Sequence, residues 1–254
     1  MPPNNWGHFY DSAVSDFYNL FKTLYLGCFT KNELMKSLLK FYRWRIAQLA
    51  EQFWWKKYLK NKEIDEYLVW KKKYWKDFLE SIKIEPQEGQ TCLDLGCGPA
   101  GMFIILDHQL TTAVDPLIEK YKDLKHFNPI NYPNVKFIES TIENFETDKP
   151  FNLVFSTNAI NHVNNWEKAF ASIFNSSAKD GYVIISSDMH RYNWLKTIFR
   201  SFQWDVLHPQ QHSYDDYINF TNENFPDFKL VEEKCIQKST IFEYWVFVYK
   251  NCSK

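Results

Sequence analysis

Apolar positions in this chain follow one period before residue 86 and another after it. Leu34, Leu38, Tyr42, Ile46, Leu49 and Phe53 recur at helical spacing behind Thr30-x-x-Glu33, which has the form of a capping box. A second helix is predicted through Ile64, Leu68, Trp75, Leu79 and Ile82 on one face, ending near Pro86. Beyond Pro86 the runs shorten and turn β-rich. Strands are predicted at Leu93-Asp94-Leu95, Thr111–Val114, Val135–Ile138, Phe151–Ser156 and Tyr182–Ser186, with the fourth apolar enough for a fully buried central strand. A helix through Ala169, Ile173 and Phe174 separates the last two. Phe228–Lys234 and Tyr244–Tyr249 close the chain as a strand pair with no helix between them. The long segment from Met189 to Phe225 suggests a helix at Trp194, Leu195, Ile198, Phe199 and Phe202, and another opening at Ser213-x-x-Asp216. The pattern is that of an α/β domain over 86–254 behind a helical N-terminal extension, or lid, over 1–85.

Length and composition change this picture little. A chain of 254 residues buries a substantial core, and a net charge of −1 makes no overall case for nucleic acid. Five scattered cysteines without C-x-x-C spacing read as reduced thiols, and no apolar run reaches membrane-spanning length, so a cytoplasmic location is expected. Charge is nonetheless uneven. Residues 31–80 carry 13 Lys and Arg against 7 Asp and Glu. There Lys56, Lys57, Lys71, Lys72 and Lys73 interleave with Trp54, Trp55, Trp70 and Trp75. A solvated helix face opposite an aromatic stripe explains this most simply. An anionic or membrane-associated acceptor is the second reading and single-stranded nucleic acid the third.

Three of the seven glycines fall in Leu93-Asp94-Leu95-Gly96-Cys97-Gly98-Pro99-Ala100-Gly101, at the end of the first predicted strand. The spacing G-x-G-x-x-G also serves nicotinamide dinucleotides. Asp94 separates the two readings, because a carboxylate placed there needs a cation or donors. The ammonium group of S-adenosylmethionine is such a partner, whereas the pyrophosphate of NAD is an anion. The stretch resembles motif I of the class I, Rossmann-like S-adenosylmethionine methyltransferases, D/E-x-G-x-G. The resemblance covers about residues 86–250. It implies a seven-stranded, mostly parallel sheet with a terminal antiparallel hairpin, S-adenosyl-L-methionine as cofactor, and a turn at Gly96, Cys97 and Gly98 set against it. Asp115, with Pro116, takes the place of the ribose-binding acid, 21 residues after Asp94, although NAD sites use a similarly placed acid. The adenine slot aligns with Thr141 and Ile142, where Glu139-Ser140-Thr141-Ile142 departs from the usual acid flanked by small residues. Asn158 follows the fourth strand in a segment similar to the family's trailing L-x-H-V.

Methyl transfer from a sulfonium needs mainly alignment and a dry pocket, with a base only where the acceptor must lose a proton. His162 is the first candidate base, set against the reading that it only packs near the cofactor. Asp188, His190, Arg191, His208 and His212 form a second polar cluster, with His190 as a further catalytic candidate. Pro209 separates His208 from His212, so no metal is expected there. No N-P-P-[YF]-like run follows the fourth strand, which lowers methylation of nucleic-acid bases. The expected acceptor is a small molecule, sugar or lipid precursor. A methyltransferase-fold binding or regulatory subunit and an NAD-linked oxidoreductase are the rival readings.

Overall fold

The computed structural model describes residues 33–190, 212–239 and 242–253. The chain divides into two compact units, Met1–Arg43 and Trp44–Lys254, and the sheet lies wholly within the second. Seven strands form it: β1 Thr91–Leu95, β2 Leu110–Val114, β3 Val135–Ile138, β4 Phe151–Thr157, β5 Ser177–His190, β6 Phe228–Lys238 and β7 Phe242–Asn251. Their spatial order is β3-β2-β1-β4-β5-β7-β6. The first five run parallel, and β7 pairs antiparallel with both β5 and β6. The order reverses between β1 and β4, which places a switch point, and so a ligand crevice, beyond the carboxyl end of β1.

Alternation along the strands assigns each side chain to a face. Phe155, Ile184, Val246 and Cys92 turn to one side, where they pack with Trp75, Phe78, Leu79 and Ile82. Leu93, Leu95, Val154, Val183 and Phe247 turn to the other, under Phe170, Ile173, Phe174 and Tyr217. Asp94 therefore shares a face with Cys92, two residues before it.

Helices α1 (Glu33–Leu59) and α2 (Ile64–Ser81) stand where two helices are predicted. Glu63 caps α2, its carboxylate accepting from Asp65 N at 2.8 Å and Glu66 N at 3.1 Å. The helix stops at Ser81, short of Pro86, where Lys83 takes the left-handed region at φ 57° and Ile84 N returns to Leu79 O. The stripe assigned to α1 proves to be misplaced in its described part: Leu49 and Phe53 are 59% and 61% exposed, while Leu59 is buried. Thr30, the proposed cap, lies outside the described residues. The connection from β1 to β2 carries only two 3-10 turns, Gly98–Ala100 and Met102–Ile105. Helix α2 packs over them, with Trp75 Nε1 donating to Ala100 O at 2.9 Å.

Beyond the short α3 (Ile118–Tyr121), α4 (Trp166–Asn175) is capped by Asn165. Helix α5 (Tyr214–Asn224) opens on the expected box, Ser213 N donating to Asp216 Oδ2 at 2.8 Å. The expected helix at Trp194–Phe202 lies outside the described residues.

Candidate functional site

Strand β1 ends in a turn that is wired to the end of β2. Gly96 N and Cys97 N both donate to Val114 O, at 2.8 and 3.2 Å. Gly98 N donates to Asp115 Oδ2 at 3.0 Å, and Leu117 N to Asp115 Oδ1 at 2.8 Å. Asp115 is thus held by both the glycine turn and its own strand end. Gly96 sits at φ +71°, and a Cβ there would run into the Ala159 methyl. Gly101 is a close approach instead: a Cβ would strike Cys97 O and stand 2.5 Å from Asp94 Oδ2.

Asp94 is fully buried, with Oδ2 accepting from Phe103 N at 3.1 Å and Oδ1 meeting no hydrogen-bond partner. Burial pushes its carboxyl up to about 7, against the pull of the Phe103 and Met102 N–H groups. Burial also pushes Asp115 up to about 6. The same effect raises the Cys97 thiol well above its usual range, so the residue stays a protonated thiol and a poor target for oxidation.

The remaining expected residues divide by position. Ile142 is buried, its Cδ1 3.4 Å from the position of a Gly96 Cβ, and Thr141 precedes it as the cap of the 3-10 turn Ile142–Asn144. Pro116 is half-buried beside Asp115. Asn158 takes φ +53°, its N–H donating to Ser186 O at 2.8 Å and reaching Ser186 Oγ at 3.2 Å, while its buried Oδ1 meets no partner. His162 ends the 3-10 turn after β4 and is half-buried. His190 ends β5, opposite Phe242 in register. Four residues beyond Ser186, it stands about 13 Å further along the strand. His212 stacks on Trp166 with ring centroids 4.0 Å apart, and its Nδ1 lies 3.8 Å from Asp216 Oδ2. Trp166 belongs to the sheet face opposite Asp94. Among the described residues no three His, Cys, Asp or Glu stand where they could hold a metal. Arg191 and His208 lie outside those residues.

The structure adds residues that sequence reasoning missed in this role. Lys71 points its ammonium over Trp75 at 4.4 Å and Tyr74 at 4.6 Å. Burial lowers its pKa to about 8 while the Asp94 charge raises it. Glu51, half-buried on α1, lies 3.4 Å from the Tyr121 hydroxyl. A polar chain also runs from Asn158 N to Ser186 Oγ, and on to Tyr244 Oη at 2.7 Å. Ser186, Asp188 and Tyr244 share the Asp94 face of the sheet by register. A charge on the apolar face of each helix was the available signal: Glu51 precedes Trp55 and Leu59 at helical spacing, and Lys71 precedes Trp75 and Phe78.

A family model described as a methyltransferase domain matches residues 67–222. The chain belongs to this methyltransferase family. Its class I, Rossmann-like architecture is shared with solved structures at low identity. YcgJ from Bacillus subtilis superposes with a TM-score of 0.57 at 11% identity, over 71% of this chain and 98% of that one. The 1,6-didemethyltoxoflavin-N1-methyltransferase of Burkholderia thailandensis, solved with S-adenosylhomocysteine and its substrate, gives 0.54 at 13% identity, over 89% and 93% of the two chains. A ubiquinone biosynthesis O-methyltransferase of Rickettsia akari (strain Hartford) is 29% identical over 97 residues, 37% of this chain and 39% of that enzyme. The chain thus matches less than half the length of this curated relative. Among the described residues of this chain no helix is long and apolar enough to cross a membrane.

Proposed function

We propose that this protein transfers the methyl group of S-adenosyl-L-methionine to a small-molecule acceptor by direct displacement. The observation that carries the reading is Asp94, a fully buried carboxylate whose Oδ1 lacks a donor at the carboxyl end of β1. A ligand ammonium satisfies that oxygen, and a pyrophosphate does not. When bound, S-adenosylmethionine supplies a methyl group already activated on a sulfonium. Asp94 would orient the ammonium, Asp115 would accept from the ribose hydroxyls, and Ile142 would cover one face of the adenine. Lys71, close enough to sense Asp94, is suited to hold the cofactor's carboxylate.

The protein then contributes alignment and exclusion of water. Helix α2 closes the Asp94 face with Trp75, whose indole is hydrogen-bonded to the glycine turn. His162 is the residue proposed to take a proton from an acceptor that must lose one. His190 fits this role less well, because it stands further along β5. An anionic or membrane-borne acceptor draws little support from the lysines: Lys71 turns into its aromatic box, Lys56 pairs with Asp123 and Lys73 with Asp77. Four described free cysteines suit a cytoplasmic location.

Calorimetric titration with S-adenosylmethionine, S-adenosylhomocysteine and NAD tests the reading, using the wild type, Asp94→Ala and Asp115→Ala. Micromolar binding of the two sulfur ligands, weakened by both substitutions, is expected. Binding of NAD alone overturns it. Sulfur-ligand binding without S-adenosylhomocysteine release, across hydroxyl, amine, thiol and carbon acceptors, would favour a regulatory subunit.

A further inference from the structure

Glu51 and Asp115 converge on one phenol. Glu51 Oε1 lies 3.4 Å from Tyr121 Oη, and the same hydroxyl lies close enough to Asp115 to favour its charge. Tyr121 carries a single proton, so it can donate to only one of the two carboxyls at a time. Trp55, one turn beyond Glu51, lies close enough to favour the Glu51 charge and lays its ring edge 3.5 Å from where a Gly98 Cβ would stand. Gly98 in turn donates to Asp115. Glu51, Tyr121, Asp115, Gly98 and Trp55 therefore close a ring around the end of β2.

This ring has more acceptor capacity than donors. Glu139, itself an anion, also acts on Asp115, and Lys56 on the same helix as Glu51 is half exposed and paired with Asp123. Burial and the Asp115 charge together push Glu51 up to about 8, a cost that a glutamine or leucine at this place would avoid. A second observation in the same cleft points to a ligand: Asp94 Oδ1 is fully buried without a donor, and Asp94 and Asp115 lie close enough to repel. Vicinal hydroxyls supply two O–H donors, one for each of two carboxyls.

We infer that Glu51 is a second carboxyl of the ribose subsite, so that the cofactor's diol is gripped between Asp115, just after β2, and Glu51 on α1. Binding thereby fastens α1 across the glycine turn. This rests on the cleft being an S-adenosylmethionine site, as proposed above.

The test is calorimetric binding of S-adenosylhomocysteine and its 2′-deoxy and 3′-deoxy analogues to the wild type, Glu51→Gln and Glu51→Ala. Loss of the hydrogen bond to Glu51 should weaken S-adenosylhomocysteine about tenfold in Glu51→Ala and less in Glu51→Gln, whose amide oxygen still accepts. One deoxy analogue, lacking the hydroxyl that Glu51 holds, should bind wild type and Glu51→Ala alike. Ligand-free Glu51→Gln should melt no lower than the wild type, since an acid raised by burial is removed. Amide exchange over residues 47–58 should slow on binding in the wild type and much less in Glu51→Ala. If wild type binds S-adenosylhomocysteine and Glu51→Ala matches it within twofold, the inference is overturned. An equal loss for all three ligands also overturns it, because Glu51 would then act only through helix position. Failure of the wild type to bind S-adenosylhomocysteine overturns the cofactor reading itself, and this inference with it.

Discussion

Asp94→Asn should make the ligand-free protein more stable at pH 8 and less stable at pH 3.5. Asp94 rises from 3.8 to about 7 on folding, chiefly by burial. Between those values the folded state holds a proton that the unfolded chain has released. Stability from this group is therefore whole below pH 4, falls as pH rises toward 7 and stays low above it. Three units at about 1.4 kcal/mol each make the cost about 4 kcal/mol at pH 8. Asparagine is never ionised, and its carbonyl can still accept from Phe103 N. Its amide, however, takes the position of an Oδ1 that has no partner, which costs about 1–3 kcal/mol at either pH. The net expectation is a gain of about 1–3 kcal/mol at pH 8, little change near pH 5, where ionisation of the unfolded chain already costs the wild type about 1.6 kcal/mol, and a loss of about 1–3 kcal/mol at pH 3.5. Scanning fluorimetry across pH 3.5–8 reads all three. S-adenosylhomocysteine at a hundred times its Kd should add about 2.7 kcal/mol to the wild type and almost nothing to the variant. If Asp94→Asn melts below wild type by one constant margin at every pH, or keeps the full ligand shift, the account of Asp94 as a ligand-directed buried acid is wrong.

Affinity for S-adenosylhomocysteine should rise with pH up to about 7, by at most tenfold per unit for each carboxylate that must ionise, and Asp94→Asn should flatten the curve along with weakening it. Gly96→Ala should cost about 3 kcal/mol in denaturant titration, from the left-handed backbone and the collision with Ala159, whereas Gly89→Ala, with nothing within 4 Å, should cost about 1 kcal/mol. Lys71→Met should weaken S-adenosylhomocysteine about tenfold but leave 5′-methylthioadenosine, which lacks the carboxylate, unchanged. Trp75→Phe should cost about 1–3 kcal/mol by leaving Ala100 O without its donor, read as a lower denaturation midpoint at constant slope.

Much of the fold was legible in the chain because its determinants are local. Short β-rich runs marked all seven strands, and β3 falls where the pattern put it. The glycine turn and Asp94 were readable together because backbone freedom and an out-of-place carboxylate lie within a few residues of each other. Even the opening of α5 at Ser213 and Asp216 is a contact across three residues. Other features depended on what the chain meets far away. The apolar stripe drawn on α1 included Leu49 and Phe53, which face outward, because spacing defines a stripe but not which stripe a neighbour covers. Lys71 read as part of a basic surface; Tyr74 and Trp75 beside its ammonium lie on its own helix, but only the packing of α2 over the Asp94 face brings it near that acid. Glu51 became part of the candidate site through Tyr121, 70 residues away, and Trp75 through Ala100, 25 residues away. Periodicity and turn chemistry are written into neighbouring residues, so the chain alone determined the strands, the turn and the acid that stands before it. Which helix face is buried, and which charge meets which, is a sum over long-range contacts that only the assembled tertiary structure decides.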